Sequence, residues 1–255
     1  PNAGALLAHV AGGAAVARLT RPVFDQAFVD AQLSLMRAYA DLRADRMAEI
    51  MVQGTDILSF FGAQVYLDGN ATRRTLDLVR AVLRLTGRIE MRLKMHFDLP
   101  RPITTSVDLQ PVIQTPGHAA WPSGHATESF AVAHVLGALR AGGAVDARAE
   151  VAARAMPLRL AARIAVNRTV AGVHYPSDSL AGAVLGLSIG ETVVNWLAGA
   201  EAVPLRGFDG SGFLQDFDLA RLEATLAPQG MAAITRPAPG WLQNLWQVAL
   251  SEWPR

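Results

Sequence analysis

The 255-residue chain contains no cysteine, and Lys94 is the only lysine among its 23 cationic residues. The first absence excludes a thiol nucleophile, a disulfide framework and any Cys-based zinc or iron–sulfur centre. Charge of one sign is also lacking: 23 Lys and Arg face 22 Asp and Glu, for a formal net charge of +1. Such a chain carries no general field that would gather nucleic acid, so any anion site has to be local. No Gly-rich nucleotide loop, zinc-type His/carboxylate spacing or Ser-His-Asp hydrolase elbow is found. Runs with strand-like alternation are scarce. The one long apolar run, Ser179 to Ala200, carries Glu191 and Asn195 and is rich in Gly and Ala. It therefore reads as a buried core helix and not as a membrane span.

With 51% hydrophobic and 18% charged residues, the chain has material for a sizeable core, and collagen-like and disordered classes are out. Apolar residues recur at helical spacing from Phe24 to Ile50, Leu76 to Leu93, Ala126 to Leu139 and Val151 to Val166, the last interrupted by Pro157. Breakers at Leu67 to Asn70, Pro100 to Pro122, Ala141 to Gly143 and Tyr175-Pro176 separate them. The expectation is an all-α helical bundle in a single domain over 1–255, with a core at 71–200 and a C-terminal extension at 201–255. In the last helix Trp241, Leu242, Leu245, Trp246, Leu250 and Trp253 roughly share a face, expected to pack on the bundle. Arg80, Arg84, Arg88 and Arg92 form a ridge that lipid would not tolerate, a solvated face or an anionic docking surface. The chain is thus expected to be soluble, with no spanning segment and a homo-oligomer left open. It opens Pro1-Asn2 without methionine, as expected of a processed or trimmed product, which leaves periplasmic or secreted locations open.

Three short segments concentrate the unusual polar residues. In the first, Lys94 to Pro102, the prolines at 100 and 102 should end a helix near Leu99. That leaves Lys94 on its last turns and Arg101 on the extended piece beyond. A point charge and a planar fork there suit a tetrahedral oxyanion, although a solvated Lys and a structural Arg would give the same letters. In the second, Trp121-Pro122-Ser123-Gly124-His125 heads an apolar helix. Its free backbone N–H groups and a hydroxyl can hold an oxyanion, and the imidazole can move a proton near neutral pH. An ordinary capped helix with an exposed His is the alternative. The third runs from Asn167-Arg168 to His174-Tyr175-Pro176-Ser177-Asp178, with Pro176 opening a helix. Asp178 can reach back to His174, fix its tautomer and make the other ring nitrogen a better nucleophile or ligand, or it can simply face the helix dipole.

Read in order, Lys-x6-Arg-Pro, Pro-Ser-Gly-His and Arg-x5-His-x3-Asp resemble the superfamily of type 2 phosphatidic acid phosphatases and vanadium-dependent haloperoxidases. The sole lysine occupies the motif's lysine position. One departure is visible, Asn167 where Ser commonly precedes the arginine, and it touches a supporting contact and not the anion site. The resemblance implies a helical-bundle fold of that type and a role for each residue. Lys94, Arg101 and Arg168 would neutralise the oxygens of phosphate or vanadate, with Ser123 and the Gly124 N–H donating hydrogen bonds. His174, oriented by Asp178, would bond phosphorus or vanadium, and His125 would be the acid–base.

The leading expectation is a vanadate-dependent haloperoxidase that oxidises halide with hydrogen peroxide. It rests on His118, seven residues before His125 in Pro116-Gly117-His118, a position similar to one beside vanadate in bromide-using enzymes. The alternative is a soluble acid-phosphatase-type phosphomonoester hydrolase working through a phosphohistidine, which the wording His174-Tyr175-Pro176-Ser177-Asp178 resembles. A non-enzymatic anion-binding protein is a third reading.

Overall fold

The computed structural model describes residues 6–9 and 15–253; Pro1 and Asn2 lie outside them. Two short strands come first, β1 (Leu6–His9) and β2 (Ala15–Thr20). Helices α1 (Gln26–Ala40), α2 (Arg43–Gln53), α3 (Leu58–Gly62) and α4 (Arg73–Phe97) follow. After a 3-10 turn at Pro102–Thr104 come α5 (Gly124–Ala141), α6 (Ala147–Ala152), α7 (Met156–Val170) and α8 (Pro176–Leu197). The chain ends with β3 (Ala202–Pro204), β4 (Arg206–Asp209), α9 (Leu219–Thr225), β5 (Met231–Ala233) and α10 (Gly240–Ser251). The protein is mostly helical, as the periodicity predicts.

Helix α8 is the axis of the fold, packed against α5 with α4 and α7 around the pair. The close approach has a sequence cause. Gly182, Gly186 and Gly190 recur every four residues on α8, and a Cβ on Gly186 would stand 2.2 Å from the Thr127 carbonyl oxygen. Only a bare Cα lets the two backbones meet there. Among the described residues α8 is the one helix long and apolar enough to cross a membrane, and 89% of its most apolar stretch is buried inside the protein. Its Glu191 is answered within the fold: the buried Arg206 donates from Nε to Glu191 Oε2 at 2.7 Å and from Nη2 to Asp146 Oδ2 at 2.8 Å.

One feature adds to the all-α expectation and two details correct it. The strands add two small sheets to the helical architecture: β2 pairs antiparallel with β1 and parallel with β4, and β3 pairs antiparallel with β5. Segment 201–255 is therefore tied through β4 to the N-terminal strands. The periodic stretch Val151 to Val166 is two helices, with Pro157 in the first turn of α7, where a missing N–H has no helical partner to lose. Finally, Trp246 of α10 is buried, but Trp241 is 69% exposed and faces away from the bundle. Helix α10 packs on the start of α4, where Glu252 accepts from the Arg74 and Thr75 N–H groups at 2.8 Å each, and Trp253 Nε1 donates to Thr75 Oγ1 at 3.0 Å. A carboxylate at that helix start satisfies donors that have no intrahelical partner.

Candidate anion site where four helices meet

Four elements converge on one point. Helix α4 stops at Phe97 because Asp98 turns into the left-handed region, with φ 46°, and Arg101 follows in extended backbone at φ −74° and ψ 152°. Lys94 is left on the last turn of α4. Ser123 caps α5 in extended backbone, and its own N–H donates to the Asp178 carbonyl at 2.9 Å, which joins the heads of α5 and α8. Arg168 closes α7, and His174 precedes the first turn of α8.

His174 is held in one tautomer. Asp178 Oδ2 sits 2.9 Å from His174 Nδ1 and also accepts the Tyr175 N–H at 3.0 Å, so Nδ1 carries the proton and Nε2 presents its lone pair. Burial, then Arg101 and Lys94, holds the imidazole well below the ordinary histidine range, so the ring is neutral. Burial pushes Asp178 upward, while the Tyr175 N–H, Arg101 and Lys94 pull it back.

Lys94, Arg101 and Arg168 are each at most 5% exposed, and among the described residues none of them pairs with a carboxylate. Backbone carbonyls hold them instead. Lys94 Nζ donates to Pro122 O, to Ala120 O at 3.2 Å and to Ala119 O at 3.4 Å. Arg101 donates from Nε to His118 O at 2.9 Å and from Nη1 to Val173 O at 2.8 Å, and Nη1 also lies 3.0 Å from His174 Nε2. Arg168 Nη2 donates to Ile50 O and Gln53 Oε1, each at 3.1 Å, while its Nε and Nη1 are buried with no partner. Burial lowers the pKa of Arg168 to about 10 and that of Lys94 below the usual lysine range. Asp178 and Glu90 act on Lys94 and Arg101 without an ion-pair contact; buried cations with no adjoining counter-charge are costly, and a bound anion offsets that cost.

His125 lies in the first turn of α5, and its Nε2 donates to the Gln53 carbonyl at 2.8 Å, leaving Nδ1 as the nitrogen open to a further proton. Burial first, then Arg168, lowers its pKa to about 4. His118 Nδ1 is 3.1 Å from Arg101 Nη2 and 3.2 Å from Ala119 O. His118, Gly124 and His125 line a cavity of about 430 Å³ with Gln53, Asp56, Glu90 and Glu128. Lys94, Arg101, Ser123, Arg168, His174 and Asp178 thus lie at the convergence, and His118, Gly124 and His125 on this cavity. Trp121 is wholly buried with its ring 4.7 Å from Phe97 in an edge contact.

Three residues escaped the sequence reading. Gln53, the last residue of α2, holds Arg168, Asn167 and His125 at once: its Oε1 accepts from Asn167 Nδ2 at 3.0 Å, and its carbonyl takes the His125 proton. Nothing in its local sequence signals this. Glu90 and Glu128 did carry a signal, since they stand one helical turn from Lys94 and Gly124. Asn167 also donates to Glu49 Oε2 at 3.1 Å and accepts from Arg46, so the residue that departs from Ser is built into the support of Arg168.

Comparison with known proteins follows this geometry. Residues 78–201 match the family model described as PAP2 superfamily, and the segments from Lys94 to Asp178 fall inside the match. Two curated relatives, the decaprenylphosphoryl-5-phosphoribose phosphatases of Mycobacterium tuberculosis strains CDC 1551 / Oshkosh and ATCC 25618 / H37Rv, are each 36% identical over 81 residues. That stretch is 32% of this chain and 39% of each relative, so the match spans about two fifths of their length. A solved structure described as the first transmembrane PAP2 type phosphatidylglycerolphosphate phosphatase, from Bacillus subtilis, aligns with 64% of this chain and 79% of its own. Its sequence identity is 19% and its TM-score 0.34.

Proposed function

We propose that the chain, whose residues 78–201 match the PAP2 superfamily model, is a phosphatase that hydrolyses phosphomonoesters through a phosphohistidine on His174. One observation carries the reading. Three buried cations with no ion-paired carboxylate act on the imidazole of His174, Arg101 directly at Nε2, while Asp178 fixes the other ring nitrogen, and two guanidinium nitrogens of Arg168 have no partner.

In the proposed reaction Nε2 attacks phosphorus, the bond from phosphorus to the ester oxygen breaks, and the alcohol leaves with a proton from His125. Water then attacks phosphorus, the P–N bond breaks, and His125 takes the proton from that water. Lys94, Arg101 and Arg168 hold the non-bridging oxygens with Ser123 Oγ and the Gly124 N–H, where charge builds in the transition state. The low pKa of His125 suits this order. Burial, and after it Arg168, Lys94 and Arg101, keep it neutral while no anion is bound, and an incoming phosphoryl dianion offsets those charges and favours a proton on Nδ1.

The haloperoxidase expectation has less support, because the curated relatives are phosphatases. The donor set itself fits vanadate, a tetrahedral oxyanion like phosphate. The same five groups would hold its oxygens and His174 its metal, and when bound it would supply activation of hydrogen peroxide. Release of phosphate from p-nitrophenyl phosphate, blocked competitively by vanadate, is the expected outcome of a paired assay. Bromide oxidation with vanadate and peroxide, without ester hydrolysis, would reverse the assignment.

A further inference from the structure

The cavity beside His125 has an acidic wall that the proposed chemistry leaves unused. Glu90 is one turn before Lys94 on α4, and Glu128 one turn after Gly124 on α5, so each helix presents an anion donor and, one turn along, a carboxyl group. The Glu90 carboxyl lies directly on the start of α5, since a Cβ on Gly124 would stand 2.6 Å from Glu90 Oε1. Neither Glu90 nor Glu128 forms an ion pair among the described residues. Glu90 is 7% exposed, and its Oε2 has no hydrogen-bond partner although it lines the cavity. A buried carboxyl oxygen left unsatisfied is costly, and a ligand that donates to it removes the cost.

Resting on the phosphatase reading, we propose that Glu90 and Glu128 form the leaving-group subsite, which takes a hydroxyl-bearing alcohol of the polyol or sugar type. The wall lies on the His125 side of the anion cage, where the departing alcohol must be. Burial raises both carboxyls, and Glu128 raises Glu90 further, against the pull of Lys94 on both and of Arg101 on Glu90, so the pair retains proton density and can donate as well as accept. Gln53 and Thr55 add further groups of both kinds on the same wall. A hydroxyl needs both roles, whereas an alkyl chain would leave the pair without partners.

The test compares glycerol 3-phosphate with propyl phosphate, which has the same carbon skeleton without the hydroxyls, in the full chain. The wild type is expected to favour the glycerol ester in kcat/KM about tenfold or more. In Glu90→Leu and in Glu128→Leu that ratio is expected to fall toward unity. Glu128, on the half-buried part of the wall, serves if the Glu90 variant fails to fold. Propyl phosphate hydrolysed as well as the glycerol ester, a ratio unchanged in the folded variants, or a greater preference for phosphoethanolamine would each overturn the subsite while leaving the phosphatase reading intact. Hydrolysis of no ester at all, p-nitrophenyl phosphate included, would overturn both.

Discussion

Arg101 Nη1 stands 3.0 Å from His174 Nε2, on the ring nitrogen that Asp178 leaves free by holding Nδ1. The guanidinium therefore covers the lone pair that would attack phosphorus. An arriving phosphoryl group competes for the same N–H, so binding the anion and uncovering the nucleophile become one event. Lysine would keep the charge but lose the planar fork. Arg101→Lys is accordingly expected to lower kcat/KM for p-nitrophenyl phosphate by about 10²–10³ with the fold intact by circular dichroism. A rate within threefold of wild type would mean that Arg101 is only a structural tie to His118 and Val173.

Gln53 is argued to act through Arg168 and His125, and its variants separate position from charge. Gln53→Ala leaves Arg168 a single carbonyl partner at Ile50 and should cost about tenfold in kcat/KM. Gln53→Glu should weaken inhibition by inorganic phosphate more than Gln53→Ala does, because a carboxylate beside Arg168 offsets the charge that the anion needs. Equal phosphate inhibition constants in the two variants would contradict this.

Stability should be most sensitive where α8 meets α5. Gly186→Ala sets a methyl group against the Thr127 carbonyl, a backbone atom that cannot swing aside, and is expected to cost about 1–3 kcal/mol. Urea denaturation would show this as a lower midpoint with the slope preserved. Gly117→Ala, on an open loop position where an added Cβ meets nothing, should leave the midpoint in place.

Acid should destabilise the fold through His125. Its pKa falls to about 4 in the folded chain, mainly by burial, whereas an unfolded histidine titrates near 6.5. Between those values the unfolded chain binds a proton that the folded chain does not, so stability falls as pH drops from about 6.5 toward 4. Thermal melting from pH 7 to pH 4.5 should show the decline, and His125→Gln should make it shallower. A variant that declines as steeply as wild type would remove His125 from the balance.

The helices around the site were legible because their apolar faces recur at the helical period, and the site because Lys94, Arg101, Ser123, Arg168 and His174 sit at chain breaks that prolines and glycines mark. What the sequence hid has physical reasons. Strands of three to six residues, such as β2 and β5, are too short to show alternation. The break between α1 and α2 at Asp41-Leu42 carries neither proline nor glycine. Gln53 acts through contacts with residues more than 70 positions away, which no local pattern encodes. Trp241 falls outside the stripe by which α10 meets the bundle, where Leu242, Trp246 and Leu250 pack on the core.

The most direct test of the central claim is to quench turnover of an ester carrying a radiolabelled phosphoryl group and map the label on the protein. The account predicts an acid-labile, base-stable phosphoryl group on the peptide that contains His174, absent from His174→Ala, which should also lose ester hydrolysis. Steady turnover with no labelled protein, or a label that persists in His174→Ala, would contradict it.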